Sequence, residues 1–398
     1  MIEARRDPPL PRDAASLVVG AIAAQAIGGL VPQMSPLVIG GVMDGLSLSE
    51  RDAGFVASIE LLGLAVTAIA IAPVLPRFSY RRVGLVAVAL ALVAQAASIF
   101  SATWASLALL RGLAGAGEGA LYAVSLCVVA SHSKNPDKVY GYFQVIWALG
   151  SVPLFSFGGE LTAAFAQRGI FALIAGATLV LAPLLLLIPD SRAKSGDRVA
   201  AVTAQASSPQ LGVMTLVAIV LYLTVSAGVY AFSNPLGDRA GLDTSAVGYA
   251  LTVASLVGLA GAGAAALFNV RWGRTIPISG FCVGFALVTL ALCLSRDPKV
   301  YVVALVGSAV IYYFSIPYLF GLAAALDRSG RWAAAAGSAY LLGFAAGPLV
   351  GGAVIAAAGY AGLAAVSVAI AAAAWALTMI VIQRLSTTAR TAVPDAAA

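Results

Sequence analysis

Arg111 and Glu118 are ionisable residues inside an apolar run, 105–131, that carries no other charge. Seven residues make nearly two helical turns, so in a helix both lie on one face, about 10 Å apart along the axis. A charged carboxylate near the centre of a membrane costs about 2.5 kcal/mol or more. Glu118 can therefore take up a proton and release it when Arg111, water or a bound solute changes its surroundings. A static buried ion pair is the alternative interpretation.

Two further acidic residues lie inside apolar runs, Glu60 in 53–76 and Glu160 in 139–164. Glu60 is predicted about two turns from the end of its helix, where it is a candidate accessory proton site beside Arg111 and Glu118. Glu160 is close to the end of its run and can reach water, which favours a structural role. These four are the only charged residues predicted inside helices.

The composition defines the elements that must position these residues. The chain has 398 residues, of which 61% are hydrophobic and 10% charged, with a mean hydropathy of +0.96. An ordinary soluble domain is about 25% charged, so the composition excludes a soluble globular domain, a disordered chain and a nucleic-acid-binding domain. Twelve membrane helices of about 20 residues need about 240 residues, which is close to the apolar share of the chain.

The expected fold is an all-α polytopic membrane protein with twelve transmembrane helices in two six-helix pseudo-symmetric halves. Apolar runs predict helices 1 to 12 at 15–41, 53–76, 83–103, 105–131, 139–164, 169–188, 211–233, 245–268, 277–295, 300–325, 332–358 and 361–383. The predicted divisions are an N-terminal tail (1–14), a first bundle (15–188), a central linker (189–210), a second bundle (211–384) and a C-terminal tail (385–398).

The positive charges predict the orientation of these helices. Of the 23 lysines and arginines, 17 fall on the side of the N-terminus, five on the opposite side, and Arg111 is inside a helix. Cytoplasmic loops carry such an excess. We therefore expect both termini in the cytoplasm and the protein in the inner (cell) membrane.

The two predicted halves are related in sequence. Gly54 matches Gly248 at an offset of 194, and Gly159 matches Gly352 at an offset of 193. Further pairs at these offsets are Arg77 with Arg271, Lys138 with Arg331, Gly150 with Gly343 and Gly158 with Gly351. Two repeated six-helix halves are typical of alternating-access transporters, which hold the substrate between the halves.

Two motifs resemble the major facilitator superfamily. The segment from Ala72 to Arg82 resembles its signature between helices 2 and 3, with Pro76 in place of the aspartate that closes the cytoplasmic side in the family. The resemblance implies cytoplasmic gating by the basic residues of this loop and its repeat, Arg77, Arg81, Arg82, Arg271 and Arg274. Contact with lipid headgroups is the alternative.

The second motif runs from Arg111 to Tyr122 in helix 4. It resembles the helix 4 signature of the same superfamily, and Glu118 adds a resemblance to the anion:cation symporter family and to spinster-like lipid transporters. In those families a helix 4 arginine and glutamate are tied to proton coupling. The resemblance therefore implies proton coupling through Glu118 and Arg111.

Candidate substrate-binding residues come from the helices that line the cavity in the resembled fold, chiefly 1, 4, 7 and 10, with 5 and 11 beside them. A tyrosine presents an apolar face and a hydroxyl, which suits an amphipathic organic ligand, although core packing is the alternative for each. The candidates are Gln25, Tyr122, Gln144, Trp147, Tyr222, Tyr230, Tyr312, Tyr313, Tyr318 and Tyr340.

The sequence thus predicts a proton-coupled symporter of a small organic solute. The second half has no charge within its predicted helices, so Arg111 is the only cation for an anionic substrate, and a monocarboxylate or neutral amphipath fits better than a dianion. A partial exporter signature, Gly347-Pro348 to Gly351-Gly352, leaves a proton-driven antiporter of drug-like or aromatic compounds as the alternative.

The remaining expectations concern chemistry and partners. An enzyme is not expected, because the single histidine, His132, lies in a predicted loop and no metal-ligand spacing occurs. The expected partners are the solute, protons and membrane lipids, without nucleic acid. We expect a monomer with no metal and no cofactor, driven by the proton gradient.

Overall fold

The structure is a computed structural model that describes residues 15–133, 136–190, 209–269, 271, 273–326 and 331–391. All regular elements within these ranges are helices, which we number α1 to α12 to match the predicted helices. The first half contains α1 (Ala15–Leu46), α2 (Glu50–Ile71), α3 (Tyr80–Ser98), α4 (Trp104–His132), α5 (Pro136–Phe165) and α6 (Gln167–Leu181), which continues as the 3-10 segment Ala182–Leu187.

The second half repeats this arrangement. It contains α7 (Pro209–Ala231), α8 (Thr244–Phe268), α9 (Thr275–Leu294) and α10 (Pro298–Ala324), with an unnumbered short helix, Ser233–Arg239, after α7. The last helical stretch, Arg331–Thr391, is broken at Gly359, where φ is 66° and ψ is −172°. Glycine adopts this left-handed φ without the penalty of a Cβ, so the stretch divides into α11 (331–358) and α12 (360–391). The twelve-helix prediction is confirmed.

Helix ends differ from the predicted ends where polar residues control them. Ser49 caps α2 by accepting a hydrogen bond from the backbone N–H of Asp52 at 3.2 Å, so α2 begins at Glu50 and not at the predicted residue 53. Pro73 follows the end of α2 at Ile71, five residues before the predicted end, because a proline disfavours helical backbone in the residue before it. Hydropathy locates a membrane span, but it does not report a capping residue or a proline that sets the end of the helix.

The packing of the hydrophobic core shows how the halves meet. We call the end of the bundle where α1 ends and α2 begins the outer end, following the charge distribution. One buried cluster there combines residues of both halves, among them Met34 and Phe155 with Phe232 and Tyr301. Toward the opposite end the core is divided into a cluster around Tyr80 in the first half and one around Tyr222 in the second. The halves are therefore joined at the outer end.

Glycines permit this closure at two related contacts. A Cβ added at Gly54 in α2 would overlap the carbonyl oxygen of Pro348 in α11, and one at Gly248 in α8 would lie 2.5 Å from the carbonyl oxygen of Phe155 in α5. Gly54 and Gly248 are one of the matched pairs of the sequence repeat. Their match has a structural reason, since each lets a helix of one half touch the backbone of the other.

Polar contacts reinforce the closure. The Ser58 hydroxyl of α2 accepts a hydrogen bond of 2.8 Å from the backbone N–H of Leu349 in α11. The Tyr249 hydroxyl of α8 donates to the carboxylate of Glu160 at the end of α5. The Tyr230 hydroxyl of α7 donates to the carbonyl oxygen of Gln33 in α1. Each of these hydrogen bonds joins the two halves, so all three must break if the outer end opens.

We expect Gly54→Leu to open the outer end, because its side chain cannot fit against the backbone of Pro348. The measurement is the spin-label distance between Arg168 and Arg296, exposed residues at the outer end of each half, after replacement of the three native cysteines. The distance should lengthen in Gly54→Leu. The control is Gly176→Leu in α6, where an added Cβ meets nothing within 4 Å. An unchanged distance in Gly54→Leu would contradict this role.

Two carboxylates, one from each half, lie near each other at the outer end. Asp44 lies near the end of α1, and Asp238 lies in the short helix after α7, exactly 194 residues further along. Both side chains are exposed, and the negative charge of Asp238 lies near that of Asp44. Sequence analysis missed this pair, although the repeat offset could have found it.

The like charges of Asp44 and Asp238 predict a pH dependence of the closure. Two carboxylates brought near each other by closure repel, so closure gains stability as the pH falls and they become protonated, and loses it as the pH rises. The Arg168–Arg296 distance should therefore shorten on average between about pH 7 and about pH 4. In Asp44→Asn this component of the pH response should be lost. An identical response in Asp44→Asn would contradict the prediction.

Candidate functional site

A buried ion pair joins α2 and α4 within the first half. Arg111 Nη1 donates to Glu60 Oε1 at 2.7 Å, and neither side chain is accessible to solvent. The backbones of the two helices touch one turn away, because a Cβ added at Gly115 would overlap the carbonyl oxygen of Glu60. The glycines of α4 thus bring α2 close enough for its carboxylate to reach Arg111.

The guanidinium of Arg111 is held on its other sides by α3 and α6. Its Nη2 donates to Ser98 Oγ at 2.8 Å and, more weakly, to the carbonyl oxygen of Ala94 at 3.4 Å. The guanidinium carbon lies 4.5 Å from the centre of the Phe171 ring, within the range of a cation–π contact. These contacts fix Arg111 toward α2, α3 and α6.

Glu118 is bound to a neutral amide. Its Oε1 accepts a hydrogen bond of 2.8 Å from Gln95 Nε2 in α3, and Gln95 Oε1 accepts one of 2.9 Å from the Thr178 hydroxyl in α6. Glu118 is completely buried. Its second oxygen, Oε2, has no hydrogen-bond partner among the described residues. Arg111 therefore pairs with Glu60 across helices, while Glu118 two turns along α4 takes a polar but uncharged partner.

These side chains form one buried group that we call the ionisable cluster: Glu60, Arg111 and Glu118 with Gln95, Ser98 and Thr178. All of them belong to α2, α3, α4 and α6, so the cluster is inside the first half and not between the halves. The three residues predicted for proton coupling thus lie in one region of the structure. No group of three or more His, Cys, Asp or Glu side chains in the described ranges is placed to hold a metal ion.

A second group of predicted residues meets where the two halves face each other. The hydroxyls of Tyr312 in α10 and Tyr340 in α11 are hydrogen-bonded to each other, and the Tyr313 ring lies 5.5 Å from that of Tyr312. Tyr122 of α4 approaches both Tyr312 and Tyr340 from the first half. We call Tyr122, Tyr312, Tyr313 and Tyr340 the central tyrosines.

Three other candidates belong to α1 and α5 of the first half. Gln25 of α1 approaches Tyr122 and accepts a hydrogen bond from the Ser125 hydroxyl. Trp147 of α5 packs against Gly29 of α1, where a Cβ would overlap the indole ring. The side chain of Gln144 lies outside the described residues.

The three other predicted tyrosines make different contacts. Tyr222 is buried in the second half, with its ring centre 5.2 Å from that of Phe281. The Tyr318 hydroxyl donates to the carbonyl oxygen of Asn269 at 2.9 Å, at the end of α8. Tyr230 takes part in the outer closure and also lies near Tyr313. The structure therefore separates Tyr222 and Tyr318 from the central tyrosines, which the sequence pattern did not.

The predicted gating arginines make contacts within their own halves. Arg81 Nε donates to the carbonyl oxygen of Ile188 at 2.6 Å. Arg82 lies 3.8 Å from Asp190, with both side chains exposed, and exposed pairs of this kind contribute little to stability. In the second half, Arg274 donates to the carbonyl oxygen of Gly321 at 3.4 Å. Arg77 and Arg271 are exposed.

Taken together, the fold and the site define a class of protein. Within the described residues, eleven continuous stretches are long and apolar enough to cross a membrane, and the last of them contains the break at Gly359. Two halves of this bundle meet at one end, and ionisable side chains are enclosed within one half. This is the architecture of a polytopic membrane transporter.

Comparisons with known proteins give the family. The profile of the Major Facilitator Superfamily matches residues 16–327, and the chain belongs to this superfamily. It is therefore a multi-pass membrane protein and a secondary transporter, not an enzyme. No protein of curated function matches the chain significantly in sequence.

Solved structures share the fold at low sequence identity. A bacterial homologue of the human lysosomal transporter Spinster, in an inward-facing and occupied conformation, is 14% identical with a TM-score of 0.69, over 97% of this chain and 98% of that chain. The inward-facing and unoccupied form is 13% identical with a TM-score of 0.68, over 96% and 98%. A D-xylose-proton symporter is 17% identical with a TM-score of 0.68, over 91% and 97%.

Proposed function

We propose that the protein is a proton-coupled symporter of a small organic solute, either a monocarboxylate or an amphipathic organic compound. One observation carries the proposal. Glu118 is completely buried in a membrane helix and bonded to Gln95, while the nearby cation, Arg111, is bound to Glu60. A carboxyl in such a place is a site where gain and loss of a proton strongly change the local energy.

The arrangement gives a physical basis for coupling. A buried carboxylate without a cation is costly, so this conformation favours a protonated Glu118. Release of the proton requires a change that brings water or Arg111 closer. A movement of the halves that alters the contact of α4 with α2 and α3 provides such a change. Coupling then follows, because the two conformations differ in their affinity for the proton.

A short stretch of α4 connects the proton site to the substrate site. Tyr122 follows Glu118 by one helical turn, and it is one of the central tyrosines. Both residues pack on α1, where a Cβ at Gly28 would lie 2.9 Å from the Glu118 carbonyl oxygen and 3.1 Å from the Tyr122 nitrogen. A solute that moves Tyr122 therefore acts on the same turn of helix that holds Glu118.

The surroundings of the central tyrosines favour the amphipathic compound over the monocarboxylate. Tyrosine rings and hydroxyls supply apolar faces and hydrogen bonds. Arg111, the cation available within the membrane, points away from them toward Glu60 and Ser98. A carboxylate at the central tyrosines would lack that partner.

We infer the orientation and the conformational state of the protein from the charge distribution and from the closure at the outer end. The bias of arginine and lysine supports a cytoplasmic position for both termini, and we propose the inner membrane as the location. Closure at the outer end then corresponds to an inward-facing state of a monomer. The proton gradient supplies the driving force, and no cofactor is required.

The experiment uses purified protein in proteoliposomes with an imposed pH gradient, alkaline inside. Radiolabelled benzoate is the monocarboxylate probe, and radiolabelled indole is the neutral amphipathic probe. Accumulation that depends on the gradient and on the protein supports symport. Gradient-independent equilibration of both probes would contradict it.

The antiporter alternative has its own readout in the same vesicles. It is favoured by the segment Gly347 to Gly352, which forms part of the outer closure, with Gly352 against the backbone of Glu50. Ethidium expelled against its gradient in exchange for protons would support antiport and overturn symport.

A further inference from the structure

A groove of about 300 Å³ lies on the second half, between α8 and α9, with α10 as its floor. Its apolar lining includes Phe268 of α8, Ile276 and Phe281 of α9, and Val310, Ile311 and Phe314 of α10.

The position of α10 explains why the groove exists. α10 packs tightly on α8, since a Cβ at Gly261 would overlap the carbonyl oxygen of Val310, and on α9, since a Cβ at Gly284 would lie 3.0 Å from Ile311. Because α10 is wedged against both, α8 and α9 stay apart. Gly280 of α9 lines the opening, and an added Cβ there meets nothing within 4 Å.

Two arginines lie at one end of the groove. They belong to the loop between α8 and α9, which contributes Asn269 and Gly273 to the lining. Arg271 is exposed, and Arg274 donates to Gly321 at the end of α10. None of the residues that line the groove is acidic. The groove therefore combines an apolar channel with a positively charged end.

The dimensions match the cytoplasmic leaflet of a membrane. From Val310 to Tyr318 the floor extends about 12 Å along α10, most of one leaflet of an apolar core about 30 Å thick. The charge distribution places the arginine end at the cytoplasmic surface. Basic pockets between membrane helices on that side bind anionic lipid headgroups.

We propose that this groove binds an anionic phospholipid, with an acyl chain on the floor formed by α10 and the phosphate beside Arg271 and Arg274. The same stretch of α10 carries Tyr312 and Tyr313, and the Tyr313 ring packs on α8, where a Cβ added at Gly258 would lie 2.8 Å from it. The lipid therefore contacts the helix that carries two of the central tyrosines. Lipid binding itself is independent of the proposed transport activity.

The experiment is native mass spectrometry of delipidated, detergent-purified full-length protein titrated with phosphatidylglycerol or phosphatidylcholine of the same chain length. One arginine near a membrane surface contributes about fivefold in affinity for an anionic lipid. We expect wild type to prefer phosphatidylglycerol about tenfold or more, and Arg271→Gln with Arg274→Gln to remove that preference. Arg77→Gln, in the equivalent loop of the first half, is the control for charge and should keep it.

A second variant tests the groove itself. Gly280→Leu should fill the opening and lower the affinity for both lipids about tenfold or more. The matched control is Gly263→Leu in α8, which also meets open space but is not part of the lining. Equal affinity of wild type for the two lipids would overturn the proposal, as would equal effects of Gly280→Leu and Gly263→Leu. Lipid binding is measured without transport. A failure of the lipid proposal therefore leaves the symport proposal unaffected, and a failure of the symport proposal leaves the lipid proposal unaffected.

Discussion

Arg111→Ala is expected to abolish transport and to lower the free energy of unfolding by about 3–5 kcal/mol. The substitution leaves the carboxylate of Glu60 buried without the partner that it holds at 2.7 Å. It also removes the donor to Ser98 and the contact with Phe171. The measurements are denaturant unfolding in detergent and flux of the identified solute in proteoliposomes.

A double substitution separates stability from function. Glu60→Gln with Arg111→Gln removes both charges but keeps groups that can hydrogen-bond, and replacing a whole buried pair is often close to neutral. We expect this variant to recover most of the lost stability while proton-driven flux stays absent. The control for a lost arginine is the exposed Arg168→Ala, which should leave both stability and flux unchanged. An Arg111→Ala variant with wild-type stability and flux would contradict the role of the pair.

Glu118→Gln is expected to end proton-driven accumulation while leaving solute exchange intact. A glutamine keeps the shape of the side chain and a hydrogen bond to Gln95, but it cannot bind and release a proton at this position. A gradient of one pH unit corresponds to about 1.4 kcal/mol per proton, or about a tenfold accumulation. That ratio should fall to about one in Glu118→Gln, with counterflow retained.

The matched control for this prediction is Glu160→Gln. Glu160 is an exposed carboxylate of the same half, bonded to Tyr249, and its substitution should leave the accumulation ratio unchanged. Stability should also be preserved in Glu118→Gln, since a neutral group is less costly than a carboxylate in a buried site. Gradient-driven accumulation at the wild-type level in Glu118→Gln would contradict its role in coupling.

The sequence predicted the membrane class, the number of helices and, as candidates, the three charged residues of the ionisable cluster. It could do so because hydropathy is a local property, and a charge stands out within an apolar run. Helix ends were predicted less accurately, because the Ser49 cap and Pro73 act through single hydrogen bonds and backbone angles, which hydropathy does not report. The glycine repeat was visible, but its use in the outer closure was not.

Partner choice was decided by the tertiary structure. Arg111 and Glu118 share a helix and were natural candidates to interact, yet Arg111 binds Glu60, 51 residues away in sequence. The contact at Gly115 brings α2 against α4, and that approach determines which carboxylate the guanidinium reaches. Tyr312 and Tyr318 belong to the same helix, yet Tyr312 is bonded to Tyr340 among the central tyrosines, whereas Tyr318 is bonded to Asn269 at the end of α8. Residue types and helical spans can be read from the sequence. Which side chains pair depends on how the helices rotate and approach one another, and only the packing of the helices determines that.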